Sequence, residues 1–395
     1  MIVRKTHPEE TTRVEELFAV AFEIPLDRNK PTEENDSCCH WAAFSEDGEL
    51  MSTLTISDVQ VHFDGHSCKM GGIGGVATLP CYRRRGGIRS CFNAALSDLY
   101  HSGYDFSYLY PFSTTYYRKF GYESCVQQYS WEVDLALLDP PEVNGTFYLL
   151  EERCPMTDAI RAVDTTLESR FNMMVRHGER DYTWTMGGDP AVKQEFTYVC
   201  FDDKEFPAAY TTFKTVQEGN KRNINCSRFC FFDRDGFMAL MALFKNLSAN
   251  HDLVKFRTPA NSALQYLLPE WSMGAVKWDL VHNFGMVRVV HVRSVLEKAR
   301  YIGHGRVTLN IRDEQISENN GCFAVTFADD KAVSVLTVDS NPDVVLTIST
   351  FSALIAGVCD FDEARCTFSG IEVKEENSCL RQVFYRKPLM ISDSF

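Results

Sequence analysis

Arg83, Arg84 and Arg85, followed by Gly86, Gly87, Ile88 and Arg89, join full positive charges to a backbone that can turn tightly. Just before them, Val76, Ala77 and Thr78 read as the end of a strand. Pro80 has no N–H to give to a ladder, so the strand should stop there. The pattern predicts a helix over 88–100. A strand, a glycine turn and a helix start leave backbone N–H groups without partners. The helix dipole adds partial positive charge at that point. A Cβ in the turn would hold a phosphate away from the backbone, which is why glycine suits it. The chemistry this stretch offers is anion binding, with guanidinium groups beside a backbone nest. The spacing excludes a Walker loop, which needs Gly-Lys-Ser/Thr after four intervening residues. It also excludes a dinucleotide fingerprint, which needs three spaced glycines and a later acid. A basic turn on a solvated surface is the competing reading.

A second group capable of chemistry is the phenol of Tyr117, in Tyr117-Arg-Lys-Phe-Gly-Tyr122. Taken alone, it reads as a packing aromatic. The third is the end of the sequence, Phe384-Tyr-Arg-Lys-Pro-Leu-Met-Ile-Ser-Asp-Ser-Phe395. Chain ends are usually polar and frayed. An apolar run closing on an aromatic suggests burial instead.

Arg83-x-x-Gly86-x-Ile88 resembles the pyrophosphate loop of GNAT-type N-acetyltransferases, departing at its last small position. Three arginines, a glycine, two residues and a further arginine resemble one branch, the Eis-type enzymes. Tyr-x-x-Phe-Gly-Tyr is similar to the helix end, glycine stop and last strand of the same fold. The resemblance implies acetyl-CoA as co-substrate and direct transfer to an amine. It implies cofactor contacts from Val76, Ala77 and Thr78, from Arg83, Arg84, Arg85, Gly86, Gly87, Ile88 and Arg89, and from Phe112, Ser113 and Thr114 past the next strand. It implies Tyr117 as general acid and the main-chain carboxylate of Phe395 as general base. Phe22, Asp27, Trp41 and Asp393 are candidate substrate contacts, the acids facing an ammonium group and the aromatics forming walls. The implied acceptors are multi-amine molecules such as aminoglycosides, or lysine side chains. A hexamer is implied as well.

The elements that must position these groups can be read in outline. Thr12 and Glu15 have capping-box spacing, and a helix is predicted to about residue 22. Strands are predicted over 41–44, 49–57, 60–63 and 66–70, with turns at Asp47-Gly48 and Asp64-Gly65. A strand over 106–110 and a last strand over 123–134 follow. Leu137-Leu-Asp-Pro-Pro-Glu142 reads as a linker. A second unit over 146–290 has mixed pattern and no arginine-rich loop, so one cofactor site is expected. A third unit over 291–395 has strands over 305–312, 321–327, 332–338 and 344–348 and a helix over 350–358. The expected fold class is α+β: two tandem GNAT-type mixed sheets with flanking helices, over 1–140 and 146–290, then a sterol carrier protein-like α/β domain. That last domain reads as a scaffold delivering the C-terminus, with a lipid tunnel as the bolder alternative.

Composition narrows the classes. A net charge of −14 argues against nucleic acid as the main partner; it suits a cationic substrate, though ordinary solubility accounts for most of it. No apolar run is long enough for a membrane span, and no apolar signal core opens the chain, so a cytoplasmic protein is expected. The 14 cysteines are scattered without a CxxC pair, so core thiols are expected, with no metal. Cys81 and Cys125 lack a histidine partner in sequence, which weakens a cysteine-nucleophile mechanism. The rival from another class is a non-catalytic acyl-CoA or lipid binding protein.

Overall fold

The computed structural model describes residues 1–28, 37–138, 146–151, 156–178, 182, 189–260, 264, 276–281, 285–391 and 393. By internal packing the chain divides into two compact units. One is Met1–Cys125 with Asn283–Lys387 and Asp393–Phe395; the other is Val126–His282 with Pro388–Ser392.

In the first unit, β1 (Ile2–Lys5) leads into α1 (Thr11–Phe22). The cap predicted at Thr12 and Glu15 is made one turn earlier. Glu10 accepts from the His7 N–H at 2.9 Å and pairs with Arg4 at 2.7 Å. The Arg4 guanidinium holds the Glu10 carboxyl down at about 2. The predicted strand fragments fuse into a meander of β2 (Cys38–Phe44), β3 (Leu50–Phe63) and β4 (His66–Thr78). Asp64 and Gly65, with φ of 50° and 93°, form the two-residue turn between the long strands. Then come α2 (Gly87–His101), β5 (Phe106–Leu109), α3 (Thr114–Arg118) and β6 (Glu123–Ser124).

β4 and β5 run parallel, Met70–Ile73 against Phe106–Leu109, and then part. Beyond Ile73, Gly74, Ala77 and Thr78 of β4 pair with β3 and with no other strand among the described residues. Strand alternation divides the sheet into two apolar faces. One carries Leu54, Ile56 and Ile73 under Cys91, Phe92, Ala95 and Leu96 of α2. The other carries Ala42, Phe44 and Ala77 under Val14 and Leu17 of α1.

The predicted strand over 123–134 is broken. β7 (Gln128–Asp134) belongs to a second sheet, because Trp131 and Val133 feed that sheet's core. The chain runs on through β8 (Thr146–Leu149), α4 (Thr157–Glu168), β9 (Val175–Arg176), α5 (Pro190–Lys193), β10 (Glu195–Phe201), β11 (Pro207–Glu218), β12 (Lys221–Phe231), α6 (Arg234–Asn246), β13 (Leu253–Pro259) and β14 (Val276–Val281). The second sheet has the order β14-β7-β13-β12-β11-β10-β8. Asp233 caps α6 by accepting the Gly236 N–H at 2.8 Å.

β15 (Met286–Val289) returns to the first sheet and lies between β5 and β6. All four of its residues are buried, as a central strand requires. After α7 (Val292–Lys298), a third sheet forms from β16 (Gly305–Arg312), β17 (Gly321–Ala328), β18 (Lys331–Val338), β19 (Val344–Thr347) and β20 (Ile371–Val373), in the order β18-β17-β16-β19-β20. Its helices are α8 (Ile348–Ala356), α9 (Phe361–Thr367) and α10 (Leu380–Val383).

Arg288 on β15 joins the first sheet to this last domain. Its guanidinium donates to both carboxylate oxygens of Asp313 at 2.9 Å, and both side chains are 0% exposed. Asp313 also accepts from the N–H groups of Gln315 and Ile316 and from Asn319. Removing one member of such a pair leaves a charge buried and unpaired, which costs about 3–5 kcal/mol. Asp313→Ala is therefore expected to lower unfolding stability by that order in a denaturant titration. A loss under about 1 kcal/mol would mean the pair is not holding the domain in place.

Candidate active site

The arginine-rich loop leaves β4 through a short 3-10 turn at Pro80–Tyr82. Arg84 and Gly86 both take left-handed backbone, with φ of 64° and 83°. Gly86 caps α2 without a side-chain bond, and the first intrahelical bond runs from Ser90 N to Gly86 O at 3.0 Å. The N–H groups of Gly87, Ile88 and Arg89 find no acceptor among the described residues. Gly87 and Ile88 are buried, Gly87 lying against Ser52. Arg83, Arg84, Arg85 and Arg89 are exposed and form no ion pair among the described residues. Arg85 lies over the Tyr82 ring at 5.3 Å. Open N–H groups at a helix start beside uncompensated guanidinium charge can hold a pyrophosphate.

Upstream, the opposed strands shift register between Thr53 and Thr55, where β4 carries an extra residue. Gly75 sits in that bulge with φ +54°. A Cβ there would lie 2.6 Å from Phe18 Cζ and 2.7 Å from Thr55 Oγ1. Val76 and Thr78 are half-buried, Ala77 is buried in the α1-side core, and Thr78 Oγ1 bonds Ser52 Oγ at 2.9 Å.

Past β5, Phe112 is 74% exposed, Ser113 caps α3 and Thr114 begins it. Tyr117 is 3% exposed, edge-on to Phe92 at 6.0 Å and to Phe112 at 5.3 Å. Its hydroxyl makes no hydrogen bond among the described residues. Burial, reinforced by Tyr116 and Tyr122, pushes the phenol above its usual range, so it keeps its proton at neutral pH. Gly121, with φ +79°, ends the motif because a Cβ would lie 2.3 Å from an Arg288 guanidinium nitrogen.

The predicted substrate contacts do not gather in one place. Phe22 is half-exposed at the end of α1 and stacks on Phe18 at 5.7 Å, on the α1 face. Asp27 is exposed in the loop beyond it. Trp41 is on the opposite, α2 face, packed into that core with Lys5 over its ring at 5.7 Å. Alternation along β2 therefore keeps Trp41 out of any pocket walled by Phe22. Asp393 is half-buried, and its main-chain carbonyl accepts a hydrogen bond from Tyr110 just past β5. Phe395 lies outside the described residues.

Sequence reasoning missed Phe18, His40, Thr55, Gly75 and Tyr110. Strand alternation from Trp41 would have put His40 on the α1 face, but nothing local pairs it with Thr55. Cys125 is buried and its thiol is pushed upward by burial, while Cys81 is exposed. Neither has a histidine contact among the described residues. No group of three or more His, Cys, Asp or Glu side chains is placed to hold a metal ion among the described residues. None of the described helices is long and apolar enough to cross a membrane.

Residues 2–125 match the model of the acetyltransferase (GNAT) domain. This part of the chain is a GNAT acetyltransferase domain. Residues 292–382 match the sterol carrier protein domain. The chain is thus an N-acetyltransferase with a sterol carrier protein domain behind it. No curated protein sequence matches it. Among solved structures, a probable N-acyltransferase of Enterococcus faecalis is 20% identical, covering 100% of this chain and 99% of its own, with a TM-score of 0.86. A GCN5-related N-acetyltransferase from Anabaena variabilis is 16% identical, with 100% of both chains covered and a TM-score of 0.86. Eis1 from Mycobacterium abscessus is 15% identical, again with 100% of both covered, at a TM-score of 0.80. These likenesses establish the fold along the whole chain.

Gly75→Ala tests the bulge. The added methyl must displace Phe18 or Thr55, and overpacking of this kind costs about 1–3 kcal/mol. The expected result is a lower unfolding midpoint with an unchanged denaturant slope; an unchanged midpoint would show that the α1 face is loosely packed at this point.

Proposed function

We propose that the protein transfers the acetyl group of acetyl-CoA directly to an amine, at the point where β4 and β5 part. The hydroxyl of Tyr117, on α3 and without a hydrogen bond among the described residues, is the observation that carries this reading. In it, the N–H groups of Gly87, Ile88 and Arg89 and the guanidinium groups of Arg83, Arg84, Arg85 and Arg89 hold the pyrophosphate. The left-handed Gly86 lets the backbone approach. The one-sided backbone of Val76, Ala77 and Thr78 receives the pantetheine. Phe112, Ser113 and Thr114 wall the opposite side.

The amine nitrogen bonds to the thioester carbon, the C–S bond breaks, and the leaving thiolate takes the Tyr117 proton. Burial holds the Tyr117 phenol above its reference pKa of about 10, so it is protonated when the sulfur arrives and gives up its proton only as thiolate charge develops. The nitrogen loses its proton to the terminal carboxylate of Phe395. That carboxylate has a reference pKa of about 3.5 and an alkylamine about 10.4. Stripping a resting ammonium would thus be uphill by roughly 9 kcal/mol. Transfer has to accompany bond formation, when the nitrogen becomes far more acidic. The Tyr110 bond to the Asp393 carbonyl supports this role by bringing the tail to the end of β5.

The acceptors in this reading are multi-amine molecules such as aminoglycosides, or lysine side chains. The net charge of −14 favours such cations. A cytoplasmic hexamer belongs to the same reading and rests on kinship with Eis-type proteins.

Acetyl-CoA turnover, followed as thiol release with kanamycin and a lysine peptide, tests the assignment. Tyr117→Phe is expected to lower kcat by about 100-fold or more while leaving the KM for acetyl-CoA nearly unchanged. A chain extended past Phe395 should lose activity comparably. Full activity in the extended chain would remove the carboxylate from the mechanism. A rise in KM alone in Tyr117→Phe would make the phenol a wall residue.

A further inference from the structure

The proposed reaction leaves one proton unassigned. An amine arrives at neutral pH as an ammonium ion and must lose a proton before its nitrogen can attack. The terminal carboxylate is about 7 pKa units too acidic to take it.

His40 on β2 is half-buried on the α1 face, away from α2 and its core. Its Nδ1 is 2.9 Å from Thr55 Oγ1 on β3. That same oxygen lies 2.7 Å from the position of a Gly75 Cβ, in the β4 bulge. The Thr55 hydroxyl thus holds the imidazole on one side and lies close to the β4 bulge on the other. Phe18 completes the group. Its ring closes over Gly75 and meets the His40 ring edge-on at 6.1 Å. Phe22 stacks on Phe18 and reaches solvent. Phe22, Phe18, His40 and Thr55 therefore form a continuous row of side chains from the exposed end of α1 to the bulge.

We propose that His40 takes the first proton from the incoming ammonium group, with Thr55 fixing the ring from its other nitrogen. This rests on the acetyl-transfer reading above and assigns a step within it. With Nδ1–H donated to Thr55 Oγ1, Nε2 carries the lone pair, and it makes no hydrogen bond among the described residues. The ammonium becomes a neutral amine, the ring becomes an imidazolium, and the imidazolium returns its proton to solvent. The amine then attacks, and its second proton goes to the terminal carboxylate. By reference values a histidine lies about 4 pKa units below an alkylamine and a terminal carboxylate about 7, and burial of His40 widens the first gap somewhat. Burial lowers the His40 pKa and Glu15 on α1 opposes that shift, so the ring is neutral and able to accept at neutral pH. The facing group on β3, Thr55, is uncharged. Lys5 of β1, which pairs with Asp98 of α2 at 2.8 Å, lies over Trp41 on the far side of the sheet.

The test is the pH dependence of kcat/KM for kanamycin in the full chain, with acetyl-CoA saturating. His40→Gln should lower kcat/KM by about 100-fold at pH 7. The deficit should shrink as pH rises toward the amine pKa, because more of the amine then arrives neutral. The KM for acetyl-CoA should not move. Thr55→Val, which keeps the imidazole and removes its anchor, should give a smaller deficit with the same pH trend, and it serves if His40→Gln does not fold. A His40→Gln deficit that is constant across pH, or none at all, overturns the proposal and leaves His40 as a packing residue. Loss of turnover in Tyr117→Phe alongside full turnover in His40→Gln overturns the His40 step alone. No amine-dependent thiol release by the unaltered chain overturns the acetyl-transfer reading and this step with it.

Discussion

A guanidinium with no exposed surface, Arg288, sits under a glycine with no side chain, Gly121, and faces a carboxylate with no exposed surface, Asp313. Most of the first unit depends on that arrangement. Arg288 lies on the strand that fills the gap between β5 and β6, so the sheet is complete only when the charge is buried. Burying it demands a partner, and Asp313 comes from the last domain. Gly121 ends the motif that begins at Tyr117, so the helix holding the phenol and the buried pair are packed against each other. Further ties follow the same route. Asp105, at the start of β5, accepts from Lys298 at 2.7 Å and from Ser294 at 2.6 Å. Lys387 is buried, donates to Asp64 at 2.6 Å, and lies over the Phe63 ring at 5.2 Å. Just before the tail, that contact anchors the chain to the β3–β4 turn.

Local chemistry made some of this legible from sequence. The arginine-rich loop, the α2 start, the Asp64-Gly65 turn and the glycine stop at Gly121 each need particular residues at particular spacing, whatever surrounds them. Strand membership was not legible. Gln128–Asp134 and Met286–Val289 both read as strands, but each joins the sheet other than the one its neighbours in sequence suggest. Which sheet takes a strand depends on long-range burial: Trp131 and Val133 complete one core, and Arg288 needs Asp313. The pairing of His40 with Thr55 is hidden for the same reason, since it exists only once β2 and β3 are in register. Trp41 shows the opposite failure. Its residue type suited a ligand wall, yet alternation along β2 turned it into the α2-side core.

The two faces of the first sheet divide the labour of the proposed reaction. The phenol of Tyr117 and the α2 start lie on the α2 face. Phe18, Phe22, His40 and Thr55 lie on the α1 face. Between these faces, β4 runs on to Thr78 after its pairing with β5 has ended at Ile73. A thioester in the gap where the two strands part would meet a proton donor for its sulfur from one side and an amine for its carbonyl carbon from the other. The bulge at Gly75 matters because only a residue without a Cβ lets β4 lie directly under Phe18 and Thr55 on the α1 face.

A crystal structure of the full chain with bound CoA tests this division most directly. The account predicts the pyrophosphate on the N–H groups of Gly87, Ile88 and Arg89, the pantetheine along Val76–Thr78, and the sulfur within hydrogen-bond reach of the Tyr117 hydroxyl. CoA bound elsewhere, or a sulfur on the far side of the gap from a phenol turned away from it, would contradict it.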